Sequence, residues 1–275
     1  MPTEMVKYII DYWSHYPEMQ WYAFFLDGEP LLDHRLPMFC DYATIHTQGK
    51  LLIDTNATNY AARERLIHPN LRQVRISLSA ATRETYHKVH GADLYDKAVR
   101  TAEWFQENKH PTQELSFHYM INKYNEHEIP DFLEQWPDTL IKLFPLHQMP
   151  GIQQDSEDAL TDKPEWINTT QNMQAWKQTR PIYVYPDGTR ERRVMRSYMT
   201  CQGMSFCVQW NGLIRHCSDA PPKYNYGHIY KQDMLEAWQK RNKARATNPA
   251  CIACNAKRPD WLKILYRYGL TEDQK

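Results

Sequence analysis

Residues 73–79, QVRISLS, decide the fold class. Successive side chains of an extended segment point to opposite faces. Val74, Ile76 and Leu78 therefore share one face, and Arg75, Ser77 and Ser79 share the other. Residues 115–122, LSFHYMIN, repeat the pattern, with Leu115, Phe117, Tyr119 and Ile121 opposed to Ser116, His118, Met120 and Asn122. A parallel sheet with helices on both faces reads as apolar throughout. One polar face predicts instead a curled sheet that lines a polar cavity, with helices outside it.

Working outward, WYAFFLD (21–27), KLLIDTN (50–56) and TLIKLFPL (139–146) complete a set of five predicted strands. Helical segments fall between them at HRLPMFCDYATIH (34–46), YAARERLIH (60–68), a long stretch over 82–108, and EIPDFLEQW (128–136). A leading helix over residues 4–18 carries Val6, Ile9, Ile10 and Trp13 on one stripe. Strands alternating with helices imply βαβ units and a parallel sheet. The fold class is α/β, a partial (β/α) barrel over residues 1–150, with ligands expected at the carboxyl ends of the strands.

After Pro150 the pattern changes. Residues 151–198 read as a connecting segment containing a hairpin, IYVYPDGTRERRVM, that turns at Pro186-Asp187-Gly188. FCVQWNGLIRHC (206–217) reads as a second hairpin with a two-residue type I′ turn at Asn211-Gly212, which pairs Cys217 with Phe206. QDMLEAWQKRNKARA (232–246) is helical. A small cysteine-rich, metal-binding domain is expected over 199–265, followed by a tail over 266–275.

The 275 residues are 42% hydrophobic, and 33 basic residues balance 33 acidic ones. This balance gives no reason to expect nucleic acid or an acidic membrane as a partner. The first twenty residues lack the pattern of a signal peptide, and no apolar run approaches the ~20 residues of a membrane span. A cytoplasmic protein is expected. Of the six cysteines, Cys40 stands apart and five lie beyond residue 200. In a reducing compartment such clustering points to metal or redox chemistry. Cys251 and Cys254 have chelating C-x-x-C spacing, and with Cys201 and Cys217 they make four thiolates that can close one metal site. Zinc and an iron–sulfur cluster both accept that donor set, and Cys207 or His216 could substitute for one ligand.

These residues resemble radical S-adenosylmethionine enzymes with a carboxyl-terminal SPASM-type auxiliary domain. CQGMSFCVQWNGLIRHC (201–217) is similar to that domain's cysteine, gap and Gly-x4-Cys. The following residues Asp219, Gly227, Ile229, Leu235 and Trp238 fall in the family's order. The resemblance implies an auxiliary 4Fe-4S cluster on Cys201, Cys217, Cys251 and Cys254. Gly28-Glu29-Pro30 is similar to the family motif that meets the methionyl amino group of S-adenosylmethionine. Thr55-Asn56-Ala57 looks like the family's Thr-Asn-Gly. ISLSAATRETYHKVHG (76–91) looks like the signature of its fourth strand. There Ser77 and Ser79 would lie near the ribose or carboxylate of the cofactor, with His90 where an arginine often binds the carboxylate. The implied activity is radical chemistry on a peptide or small-molecule substrate, served by an electron donor. Tyr119, His118, Asn122 and His147 lie where a substrate could reach.

The family's C-x3-C-x2-C motif, which binds the radical-generating cluster, does not occur in this sequence. A reading frame shortened at its start, a second polypeptide that supplies the first strand and the motif, and a relative that binds without catalysis are the three readings. The chain by itself is not expected to cleave S-adenosylmethionine. With the first barrel strand missing, residues 21–27 are expected to leave an aromatic-rich sheet edge unpaired. A non-catalytic module stapled by zinc or iron–sulfur is the competing function.

Overall fold

The computed structural model describes residues 1–145 apart from 18 and 27, with side chains through Lys142, and residues 206–217, 224–244 and 247–248. For 183–184, 190–191 and 194–196 it describes the backbone. Strands β1 (Trp21–Phe24), β2 (Lys50–Thr55), β3 (Leu71–Ser77), β4 (Glu114–Ile121) and β5 (Leu140–Pro145) pair in parallel and in chain order. A sixth strand, Val194–Arg196, which is β8 in chain order, adds in parallel beside β5. Sequence reading placed Val194 and Met195 in a hairpin arm and missed this strand. The hairpin itself forms over shorter arms, β6 (Tyr183–Val184) against β7 (Arg190–Glu191).

The helices explain why one sheet face is apolar. Helix α1 spans Thr3–Ser14, α2 Leu36–His46, α3 Arg83–His90, α4 Tyr95–Asn108 and α5 Ile129–Gln135. In α2, Leu36, Phe39, Cys40 and Ala43 are buried, and in α4, Ala98, Thr101, Ala102 and Phe105 are buried. Both sets follow the i, i+3, i+4, i+7 spacing of one helix face. Leu36, Cys40, Ala43, Ala98, Ala102 and Phe105 of these sets join a core with Tyr22, Leu51, Ile53, Val74, Ile76, Leu115, Phe117 and Ile141 from a single face of the sheet. The other face carries Asp54, Arg75, Ser77, Ser116, His118 and Lys142, which lie in register across β2 to β5. The alternation read from QVRISLS and LSFHYMIN thus appears in three dimensions.

Two helical segments differ from the sequence reading. Residues 60–66 form a 3-10 turn instead of an α-helix. Side chains three apart eclipse in that geometry, and the Arg63 guanidinium lies 4.2 Å from the Tyr60 ring centroid. The stretch 82–108 divides into α3 and α4 at Gly91, whose φ of 69° closes α3 with a left-handed cap.

β1 forms the edge of the sheet, with Trp21 41% exposed. Beyond the main sheet, β9 (Cys207–Val208), β10 (Leu213–Arg215) and β11 (Asn225–His228) make a small antiparallel sheet, followed by α6 (Met234–Ala244). α1 joins this unit to the barrel. Trp13 packs on Phe206 with ring centroids 4.8 Å apart, and the Tyr12 hydroxyl donates to Asp233 at 2.6 Å. That hydroxyl also accepts from the Leu235 amide at 3.0 Å.

Gly91 meets no atom within 4 Å of an added Cβ, so only its backbone conformation is at stake. Gly91→Ala is expected to destabilise the fold by about 1 kcal/mol, read as a lower urea midpoint with an unchanged m-value.

Candidate functional site at the carboxyl ends of the strands

Parallel pairing brings the loops after β1, β2, β3 and β4 to one edge of the sheet. The Glu29 carboxylate joins the first two. One oxygen accepts from the Leu31 amide at 2.9 Å and from the Thr55 hydroxyl at 2.5 Å, and the other accepts from the Asn56 amide at 2.8 Å. A carboxylate offers about four acceptor positions, so three are used within the protein and one remains. Gly28 beside it is exposed. The neighbouring turn is equally tied: the Thr55 hydroxyl accepts from the Ala57 amide at 2.9 Å, and Asn56 Oδ1 accepts from the Thr58 amide and hydroxyl. Ala57 is buried at φ 58°. A glycine would adopt that left-handed conformation without strain, which explains why the resembling motif carries one.

The loops after β3 and β4 are bound to each other. Ser79 is buried, and its hydroxyl oxygen accepts from the Met120 amide at 2.9 Å. Its carbonyl accepts from Asn125 Nδ2 at 2.8 Å. Asn125 also donates to the Met120 carbonyl and accepts from the Asn122 amide, and its own carbonyl accepts from the Tyr119 hydroxyl at 2.7 Å. Tyr119 and Asn122 are thereby committed to the loop. The Ser77 hydroxyl bonds to no described residue. His90 lies in the last turn of α3, stacked on Tyr86 with ring centroids 4.2 Å apart, and its Nε2 is buried without a hydrogen-bond partner among the described residues. Burial lowers its pKa to about 4, so near neutral pH the ring carries no charge for a carboxylate.

The polar sheet face leads down from this edge. Arg75 and Asp54 form a bidentate ion pair, and the guanidinium lies 5.2 Å from the Phe25 ring centroid. Burial raises the Asp54 pKa, against the pull of Arg75 and Lys142. Burial lowers the His118 pKa well below the usual histidine value, and Arg75 and Lys142 lower it further. Sequence reading missed Glu128 and Asn125 altogether. A glutamate followed by Ile-Pro reads as an ordinary helix start, and nothing in its spacing points to α3.

Among the predicted metal ligands, Cys217 lies within the described residues, half-buried, while Cys201, Cys251 and Cys254 lie outside them, as does His147. The β9–β10 hairpin differs from the expected one by a single residue. Gln209 bonds to Leu213, and Arg215 pairs with Cys207. The loop is therefore Trp210-Asn211-Gly212, with Gly212 bonded back to Gln209 and at φ 84°, a type I turn closed by a bulge glycine. Because one residue of slip reverses every side chain, Cys217 does not oppose Phe206. β10 ends at Arg215, and beyond it His216 Nδ1 lies 3.0 Å from the Tyr226 hydroxyl.

Two predictions test these contacts. Glu29→Gln exchanges one acceptor oxygen for a donor facing another donor, and is expected to cost about 2 kcal/mol of stability in denaturant titration. Neutral His90 has a folded pKa below its unfolded value, so the unfolded chain takes up the proton first. Stability should fall as pH drops from about 6.5 toward 4, with His90 contributing up to roughly 3 kcal/mol. His90→Phe, which keeps the stack on Tyr86, should flatten that slope while His118 maintains part of it. Urea midpoints at several pH values check both statements.

The Radical SAM superfamily profile matches residues 1–135. Among solved structures, one described as the crystal structure of archaeal TYW1 is similar with a TM-score of 0.43 and 14% sequence identity, covering 70% of this chain and 70% of that one. No curated protein matches. Residues 1–135, which hold β1 to β4 and the loops just described, are thus the part of the chain that matches the Radical SAM superfamily.

Proposed function

We propose that the chain binds S-adenosylmethionine across the carboxyl ends of β1 to β4, and that Cys201, Cys217, Cys251 and Cys254 hold an auxiliary 4Fe-4S cluster. The observation that carries this reading is the Glu29 carboxylate. It draws the loop after β1 onto the Thr55-Asn56 turn inside the segment that matches the superfamily. The residues fit an amino-acid head group. Glu29 retains an acceptor position for an ammonium, Gly28 permits close approach of backbone carbonyls, and Ser77 keeps its hydroxyl. His90, being neutral, could offer only a hydrogen bond to a carboxylate.

The radical-generating cluster does not fit the residues of this chain. Cys40 is the one cysteine before residue 201. It is fully buried in α2, and burial together with Asp41 pushes its thiol up to about 12, whereas a cluster ligand must be a thiolate. The chemistry that S-adenosylmethionine supplies in this superfamily, once reductively cleaved, is hydrogen abstraction from a substrate. This chain's part would be to orient that molecule and a peptide or small-molecule substrate beside the polar sheet face and to exclude water. Radical chemistry would then require a segment bearing the cluster and the first strand, supplied either upstream in the same reading frame or by a second polypeptide, for which the edge of β1 is the matching surface, and an electron donor. The burial of Cys40 and the neutrality of His90 favour one further reading, a binding module without catalysis, stapled by the carboxyl-terminal cysteines.

Anaerobic purification and reconstitution separate these readings. About four irons per chain are expected, with a loss of iron in Cys217→Ser and Cys251→Ser. Zinc in place of iron would overturn the auxiliary cluster. Calorimetric titration should show S-adenosylmethionine binding, and the isolated chain should release no 5′-deoxyadenosine. Sustained release would show that the fit drawn for Cys40 is wrong.

A further inference from the structure

The turn joining β3 to α3 consists of Leu78, Ser79, Ala80, Ala81 and Thr82. Ala80 and Ala81 are buried, but a methyl group buries too little surface to fix a backbone path by packing. Leu78 anchors the turn in the core, and polar contacts fix the rest, most of them from the connection after β4. Glu128 accepts from the Ala81 amide at 2.8 Å, the Thr82 amide at 3.3 Å and the Thr82 hydroxyl at 2.5 Å. The Ala81 carbonyl accepts from the Tyr95 hydroxyl at 2.6 Å and from Gln135 Nε2 at 2.9 Å. Asn125 holds the carbonyl of Ser79.

Glu128 is 4% exposed. A carboxylate taken so far out of water is costly unless donors surround it. Here the donors are the groups that lead into α3, where the helix dipole favours negative charge. The protein's own carboxylate thus takes up the donors just before α3. The Ser79 hydroxyl is buried where it accepts from Met120, whereas Ser77 is partly exposed and is the hydroxyl at this strand end better placed to meet a ligand.

We propose that Glu128 is a positioning residue of the ligand site: by holding Ala81 and Thr82 it sets the path of the turn that follows Ser77, and hence the way the end of β3 faces a bound nucleoside. This rests on the S-adenosylmethionine reading above. Glu128 touches no ligand itself. Its removal should weaken binding out of proportion to its effect on stability.

Isothermal titration of the full chain with S-adenosylmethionine and with S-adenosylhomocysteine tests this. Glu128→Gln should raise Kd about tenfold, and Thr82→Val, which removes one of the three donors, by a smaller factor. Phe105→Leu truncates a fully buried ring of α4 remote from the turn. It should lower the melting temperature while leaving Kd within about twofold, which separates positioning from general loosening. An unchanged Kd in Glu128→Gln, or an equal loss of affinity in Phe105→Leu, overturns the inference while leaving the binding site standing. No binding by the unaltered chain overturns the inference and the reading beneath it together.

Discussion

Strands β1 to β5 pair in parallel strictly in chain order, and each new strand adds on the same side of the last. Because βαβ crossovers are right-handed, that order sends every connecting helix to one face of the sheet. The other face is then free to be polar. The distribution of residues follows from this constraint. Val74, Ile76, Leu115 and Phe117 meet the helices, while Asp54, Arg75, Ser77 and His118 lie together on the reverse. A doubly wound sheet, whose strand order reverses midway, would have covered both faces and could not have kept an arginine–aspartate pair inside one of them.

The same order lines up the loops at the carboxyl edge, but pairing alone does not fix their shape. These loops are short and carry small residues: Gly28, Ala57, Ser79, Ala80, Ala81. Leu31 and Leu78 anchor two of them in the core, but the small residues between leave the backbone path to polar contacts. Two carboxylates supply these from neighbouring loops, Glu29 across to Thr55 and Asn56, and Glu128 back to Ala81 and Thr82. Charge-assisted hydrogen bonds are directional and strong where water is scarce. They define a backbone path that small side chains leave open. The edge is thus a row of rigid turns, each braced by an adjacent strand.

Helix α1 connects this edge-bearing sheet to the small antiparallel unit. Its buried stripe of Met5, Ile10 and Trp13 faces the core, and Trp13 and Tyr12 reach Phe206 and Asp233. A metal centre organised around Cys217 would therefore sit on a unit already docked to the barrel through aromatic packing. The one-residue difference in the β9–β10 hairpin matters here, because it sets Cys207 opposite Arg215, while His216 reaches Tyr226.

Much of this was written in the chain. Alternation in QVRISLS and LSFHYMIN gave the one-sided sheet, since side-chain direction in a strand depends only on position. HRLPMFCDYATIH was legible as a helix between two strands, and the buried Leu36, Phe39, Cys40 and Ala43 of α2 keep the spacing of one helix face. Glu29, Asn56, Ser77 and Ser79 were recognisable as residues of the carboxyl edge because each lies at or just past the end of a predicted strand, in a stretch that resembles a family motif. What those side chains do was not legible. That Glu29 spends three of its acceptor positions internally, that Ser79 serves Met120, and that His90 is neutral all depend on neighbours supplied by other strands and helices. The hairpin register turned on whether Gly212 closes a two- or a three-residue loop, and Asn-Gly is compatible with both. Strand β8 and the contact from Glu128 to α3, across some 46 residues of chain, exist only through tertiary pairing. Local sequence sets which way a side chain points, but only the assembled fold decides what it meets.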